Sequence, residues 1–362
     1  MNLPRVAVET PTRLPERNLD VLRAIAVSFV LANHLGILFH PSNVSRSIFN
    51  AIGDTGVLFF FVHTSLVLMA SLERQDRDAG WVGVFYLRRA LRIYPLAIAT
   101  IVLLLVARVP ETMPSIGQHA VASARSMATV ISNLLLAQNL VGQPDLLGPF
   151  WSLPIEVDMY LLLPLCFLIA RRRSALPMVA LLAALVAMHA LVTAESFPGA
   201  WRLTVFHYGP CFFGGVLAYR LLRTRARAAL PSWCLLVAIA VAASVELFAR
   251  STMENHPVSW IPCLLLGVAL PYIGELAPSV VTRVAKTIAK YSYGIYLLHV
   301  PVLWFAFDVC RALPLGAQLL VAIVSLVAIT WTAYRGVEAP AIELGRRLTH
   351  RRLTLAATQP AP

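Results

Sequence analysis

The chain has 362 residues, of which 58% are hydrophobic and only 13% charged, with a formal net charge of +12 and a mean hydropathy of +0.72. So apolar a chain cannot cover itself with polar side chains, which excludes an ordinary soluble domain and leaves the lipid bilayer as its solvent. The positive charge reads as a topology signal, not as a nucleic-acid surface.

Stretches of about 18 to 20 mostly apolar residues, long enough to cross a ~30 Å hydrocarbon core, recur along the chain. Ten are predicted: 19–38, 54–72, 94–108, 154–170, 176–193, 203–221, 230–248, 257–275, 289–309 and 313–333. The expected fold is an all-α integral membrane bundle of about ten transmembrane helices with both termini cytoplasmic. Residues 127–141 are apolar but short and broken by Asn and Gln, so they read as an interfacial or re-entrant helix. The membrane domain spans 17–347, between a cytoplasmic tail at 1–16 and a basic tail at 348–362 expected to be disordered. The residues after the last span are expected to be low in structure. The first span carries Arg23 and His34 and is too long for a cleavable signal peptide.

Lys and Arg in short loops remain on the cytoplasmic side. With both ends inside, 23 of the 30 basic residues fall in cytoplasmic segments, among them Arg5, Arg77, Arg171, Arg172, Arg173, Arg225 and Arg227. Six lie outside, including Arg125 and Arg250, and Arg23 lies within a span. A full crossing at 127–141 would put Arg171 to Arg173 outside. The five cysteines are widely spaced and form neither a metal-ligand pattern nor a disulfide framework.

An ionisable side chain within a span costs about 2.5–3.5 kcal/mol at the helix centre, so each needs a reason. Arg23 and His34 are eleven residues apart, close to three turns, so they share a helix face about 16 Å apart along the axis. Taken singly, Arg23 snorkels and His34 sits in an interface; together they make His34 a candidate general base. His63, Thr64 and Ser65 form a polar step in the second span, explained equally by helix–helix hydrogen bonding. Arg88, Arg89 and Arg92 open the third span and offer bidentate donors to phosphate oxygens, or serve only as positive-inside anchors. Trp151, Ser152, Glu156, Asp158 and Tyr160 open the fourth span. Capping and an interfacial Trp explain them, yet Glu156 is expected at the depth of His34, where a carboxylate fixes a histidine tautomer. Ser292, Tyr293, Tyr296 and His299 fall on successive turns of the ninth span, and Arg335 and Glu338 have the spacing of an ion pair. Gly214 and Gly215 read as a close helix-packing point.

No His is followed five residues later by Asp, and there is no G-x-S-x-G elbow or Walker loop. Intramembrane His, Arg and Glu also serve proton relays, so a secondary transporter or a flippase of a lipid-linked saccharide is the alternative. Its usual pointer, corresponding broken spans in two halves, is not apparent. An inactive scaffold of a polysaccharide machine is a third reading.

Taken in order, RNLDVLRAIAVSFVLANH, FFFVHTSLVL, FYLRRALRIYP, FWSLPIEVDMYLLLP, YSYGIYLLHVPV and YRGVEAPAIELGRR resemble the blocks of the integral membrane acyltransferase type 3 family. That family modifies surface polysaccharides, Nod factors and lipopolysaccharide. The resemblance implies a ten-span core in the bacterial inner membrane, acyl-CoA (acetyl-CoA foremost) as donor substrate, no permanently bound cofactor, no metal, and a glycan or lipid-linked saccharide hydroxyl as acceptor. The matching positions are Arg23, His34, Arg88, Arg89, Arg92, Trp151, Ser152, Glu156, Tyr160, Tyr293, His299, Arg335, Glu338 and Pro340. It implies His34 and Glu156 as the catalytic pair, the five arginines as donor-binding groups, and His63, Trp151, Ser152, Tyr160, Tyr293, His299 and Glu338 as support. Thr64-Ser65 replaces the family's Ser-Gly, and Asp158 stands where Gln is common, adding a charge beside Glu156.

Overall fold

The computed structural model describes residues 13–40, 42–75, 80–110, 126–196, 198–224, 229–252 and 258–357. Arg5, Arg77, Arg125, Arg225 and Arg227, and the tail segments 1–12 and 358–362, lie outside them. The described residues form helices and one isolated bridge between Leu230 and Ile273.

The helices are α1 (Glu16–Phe39), α2 (Asn43–Glu73), α3 (Trp81–Val106), α4 (Met127–Leu134), α5 (Gln138–Val141), α6 (Ser152–Ala170), α7 (Leu176–Thr193), α8 (Thr204–Arg223), α9 (Cys234–Thr252), α10 (Trp260–Ala269), α11 (Val280–Trp304), α12 (Leu315–Ala333) and α13 (Ala339–Ala357). Among the described residues, eight helical stretches are long and apolar enough to cross a membrane. Two further helices occupy the predicted spans 203–221 and 257–275 without meeting that measure. Helix α8 carries His207, Tyr208 and Arg220 and is packed inside the bundle, where a span meets protein instead of lipid. Helix α10 and the 3-10 turn after it cover only Trp260–Tyr272, short of a ~30 Å crossing. Helices α4 and α5, of 8 and 4 residues, are likewise too short to cross.

Hydropathy locates the spans, and packing decides which are central. Helix α12 presents Leu320, Ile323, Val324 and Val327 outward, a helical stripe that suits lipid and not water. Helix α2 is the most enclosed span and is gripped on two sides by glycines. A Cβ on Gly53 would collide with Asn33, and one on Gly56 with the Ala26 carbonyl, so α1 lies directly against α2. On the other side, a Cβ on Gly215 would be driven into Ser65 Oγ and the Val62 carbonyl, and Gly214 and Gly267 touch across α8 and α10. Dispersion between close backbones holds helices together where no hydrophobic effect operates.

Alternating helix directions gather the arginine-rich ends on one side. There Arg220 donates to the carbonyls of Ala170, Arg172, Arg173 and Ser174, capping the otherwise open end of α6. Arg17 pairs with Glu275 at 3.0 Å, and Asn18 exchanges hydrogen bonds with Gly274 and Leu276. The segment after α12 differs from expectation. A π turn over Tyr334–Glu338 leads into α13, so the chain is helical where little structure is predicted. Helix α13 docks on α3 through Thr349, which accepts from Arg88 Nε and Nη2 at 3.0 and 2.8 Å.

In the turn before α6, Asp145 accepts from Gln138 Nε2 at 3.0 Å, and burial pushes its carboxyl up to about 6. A carboxyl whose folded pKa exceeds its unfolded value holds its proton more tightly in the fold, so its stabilisation is lost as pH rises through that value. Hydrogen exchange of the 138–147 turn is expected to slow as pH falls from 7 to 5, after correction for intrinsic exchange, and Asp145→Asn removes the dependence. Gly215→Val is expected to destabilise the bundle by about 1–3 kcal/mol or more, read by thermal unfolding in detergent.

Candidate functional site

Five helices meet around a cavity of about 100 Å³ in the middle of the bundle, room for several waters or a group of similar bulk. Its polar lining comes from α1 (Arg23), α2 (His63), α3 (Arg89, Arg92), α6 (Glu156) and α11 (Tyr293). These residues lie far apart in the chain, and only the helix packing brings them together.

Most of these groups are held by a neighbour. Arg23 Nε donates to Ser292 Oγ at 2.6 Å, and its guanidinium lies 6.0 Å from the Phe60 ring. Tyr160 donates to Glu156, one helical turn away. Arg92 pairs with Glu338, whose side chain is 1% exposed, and lies 5.7 Å from the Tyr293 ring. Tyr293 itself donates to the Ile93 carbonyl at 2.7 Å. Some capacity is left over: His63 Nδ1, Arg89 Nε and Glu338 Oε2 are buried with no hydrogen-bond partner in the structure.

His34 is buried too, but it lines a second cavity, of about 180 Å³, with Asn33, Asn50, Asp54 and Trp151. Val57 and Tyr296 line both cavities and so form the wall between them. The Tyr296 hydroxyl donates to the Pro149 carbonyl at 2.8 Å and lies 2.7 Å from Ser152 Oγ. That leaves the Ser152 hydroxyl to donate to Tyr296. The ring of His299 lies 4.9 Å from that of His34. His299 Nδ1 is 2.8 Å from the Tyr296 carbonyl and 3.1 Å from that of Ile295, contacts that require the proton on Nδ1. Its Nε2 is therefore an acceptor, buried without a partner.

The expected residues thus separate into two groups and some outliers. Arg23, His63, Arg89, Arg92, Ser152, Glu156, Tyr160 and Tyr293 meet at the inner cavity; His34 and Trp151 line the outer one, with His299 against His34. Glu156 is therefore placed with the arginines and Tyr160, and not in the cavity of His34 as depth along the helix suggests. Arg88, expected beside Arg89 and Arg92, docks α13. Arg335 does not pair with Glu338. Its guanidinium stacks over Trp331 at 4.6 Å on the exposed side, because the wider π turn rotates Glu338 inward toward Arg92. Asp158 accepts from Asn139 at 3.1 Å, facing away from Glu156, as two residues on a helix must. Sequence reasoning missed Asn33, Asn50 and Asp54; the polarity of Asn33 next to His34 and of Asn50 and Asp54 at i, i+4 was the available signal.

Residues 16–335 match the family model described as an acyltransferase domain. Nodulation protein 10 of Rhizobium leguminosarum bv. viciae is 26% identical over 383 residues, covering 94% of this chain and 96% of that protein. Acyltransferase MdmB of Streptomyces mycarofaciens is 29% identical over 168 residues, covering 44% and 41%. No solved structure matches the chain.

Removing one partner of a buried ion pair strands the other, at a cost of about 3–5 kcal/mol. Glu338→Ala is expected to lower stability on that scale in detergent melts, whereas Arg335→Ala loses only an exposed cation–π contact of about 0.5–1 kcal/mol.

Proposed function

Because the chain belongs to the acyltransferase domain family, we propose that it transfers an acyl group, an O-acetyl group foremost, from cytoplasmic acyl-CoA to a hydroxyl of a cell-envelope or exported saccharide. The family and a relative named as an acyltransferase make it an acyltransferase of groups other than aminoacyl groups, and its long apolar helices make it a multi-pass membrane protein. In the proposed setting it lies in the bacterial inner membrane and crosses it ten times, with α8 shielded from lipid and the short α10 crossing together with the 3-10 turn and the non-helical residues that follow it. The arginine-rich end and both termini then face the cytoplasm, because this orientation assigns 23 of the 30 basic residues of the sequence to cytoplasmic segments.

One observation carries the reading. Three guanidiniums and a carboxylate from α1, α3 and α6 line a cavity inside an apolar bundle, with only Val57 and Tyr296 between them and the cavity of His34. Arg89 and Arg92 supply charge-assisted donors for the phosphates of coenzyme A at the inner side. The acyl thioester extends past Arg23 toward Tyr296. His34 takes the proton of the acceptor hydroxyl as its oxygen attacks the thioester carbonyl; the C–O bond forms, the C–S bond breaks, and the proton passes to the departing thiolate. Glu156, bonded to Tyr160 among the arginines, balances guanidinium charge in this scheme, and His299 is the side chain set against His34.

His34→Ala, correctly inserted, is expected to lower transfer about 10²–10⁴-fold. Mass spectrometry of envelope glycans from a deletion strain complemented with the variant measures this, and wild-type transfer by that variant would sink the mechanism. Arg89→Ala is expected to weaken acetyl-CoA binding about tenfold, read as a reduced acetyl-CoA-induced rise in melting temperature. An unchanged rise returns Arg89 to a topological role.

A further inference from the structure

The outer cavity holds more polar chemistry than a general base requires. Besides His34 it is lined by the amides of Asn33 and Asn50, the carboxylate of Asp54 and the indole of Trp151. Asn33 Oδ1 is buried with no hydrogen-bond partner in the structure. Amides offer both donors and acceptors, a carboxylate accepts, and an indole gives an apolar plate. That mixture matches a polyhydroxylated ring, whose hydroxyls donate and accept while its C–H faces pack on aromatic surface.

Asp54 is fixed in place by an apparatus of its own. Arg250 Nη1 lies 2.6 Å from Asp54 Oδ2, and Arg250 Nε donates to Glu246 Oε1 at 2.7 Å. Ser259 Oγ donates to the same Glu246 oxygen at 2.8 Å. The Glu246 side chain is 0% exposed, so Glu246 and Arg250 already form a buried neutral pair tying α9 to α10. Asp54, with a side chain 32% exposed, is one carboxylate beyond what that pair needs. A structural brace does not call for the extra negative charge, since an unmatched charge inside a membrane bundle is costly. A binding site does call for it, because a carboxylate that meets Arg250 through Oδ2 at 2.6 Å has about four lone-pair positions and keeps capacity to accept from a hydroxyl.

We infer that this cavity is the acceptor subsite, that it takes one saccharide unit, and that Asp54 accepts a hydrogen bond from a second hydroxyl of that unit while His34 deprotonates the hydroxyl that is acylated. Arg250 acts as a positioning residue for Asp54, held in turn by Glu246. Asn33 and Asn50 complete the polar rim, and Trp151, tilted on Tyr208 at 5.3 Å, is the plate. The absence of a side chain at Gly53 keeps the subsite open, for a Cβ there would push into Asn33. The inference rests on the proposed acyl transfer and adds the residues that choose the acceptor.

Two readouts test it on the full-length protein. The first is acyl transfer to native envelope saccharide in a deletion strain complemented with each variant, measured by mass spectrometry. The second is the acetyl-CoA-induced rise in melting temperature of the purified protein, which reports the inner cavity alone. Asp54→Asn is expected to lower transfer at least about tenfold with the acetyl-CoA response intact. Asn50→Ala, at an exposed position without an ion pair, lowers transfer in the same selective way and does not depend on the stability of the Arg250 network. Arg250→Gln loses transfer, and Arg250→Lys, which keeps a cation beside Asp54, restores most of it. Wild-type transfer by both Asp54→Asn and Asn50→Ala overturns the inference, as does parallel loss of transfer and acetyl-CoA response in both. If the wild-type protein restores no acyl mass and shows no acetyl-CoA response, the proposed function fails first and the subsite falls with it. An acetyl-CoA response and wild-type transfer combined with indifferent variants reject the subsite alone.

Discussion

A guanidinium inside an apolar bundle has to be met by carboxylates and hydrogen-bond acceptors, and around Arg23, Arg89 and Arg92 that demand organises the protein. The surrounding hydrocarbon cannot do it, and the cost of an uncompensated buried charge exceeds most single packing terms. Glu338 answers Arg92, Ser292 answers Arg23, and Glu156 faces the group while receiving the Tyr160 hydroxyl. Each partner comes from a different helix, so satisfying the charges also fixes how α1, α3, α6 and α11 sit, and it draws the π turn after α12 inward. In the proposed transfer the same residues act as a ready-made anion site, because a cluster carrying more positive than negative groups gains from a phosphate.

The wall of Val57 and Tyr296 divides this charged chamber from the polar one around His34. Tyr296 is held by the Pro149 carbonyl and by Ser152 at the start of α6, so a single short segment places Ser152 on one side and Trp151 on the other. For the proposed transfer, such a division keeps a charged donor and a neutral polyhydroxyl acceptor in separate environments that meet only at the reacting atoms. It also limits access of water to a thioester, whose hydrolysis would compete with transfer.

Close glycine contacts set the scale of these cavities. Gly53 and Gly56 bring α1 onto α2, and Gly214, Gly215 and Gly267 bring α8 and α10 onto its other side. Ser65, at a position where the resembling family has a glycine, fits because Gly215 leaves its hydroxyl room to bond the Phe61 carbonyl at 2.8 Å. The departure in one helix is accommodated by the absence of a side chain in its neighbour.

Local sums were legible in the sequence. Membrane helices are announced by apolar content over some twenty residues, and the arginine-rich ends and the short 127–141 segment follow from order and spacing alone, since each depends only on neighbours along the chain. The partners were not legible. Depth along a helix is set by residue count, but azimuth against another helix is set by packing, so Glu156 is found with arginines and not with His34, and Arg88 is found on α13. The π turn exchanged an expected Arg335–Glu338 pair for Arg92–Glu338, and nothing in the chain order linked Asp54 to Arg250. What a residue is and how deep it lies were written in the chain; which groups face one another was decided only when the helices closed around their charges.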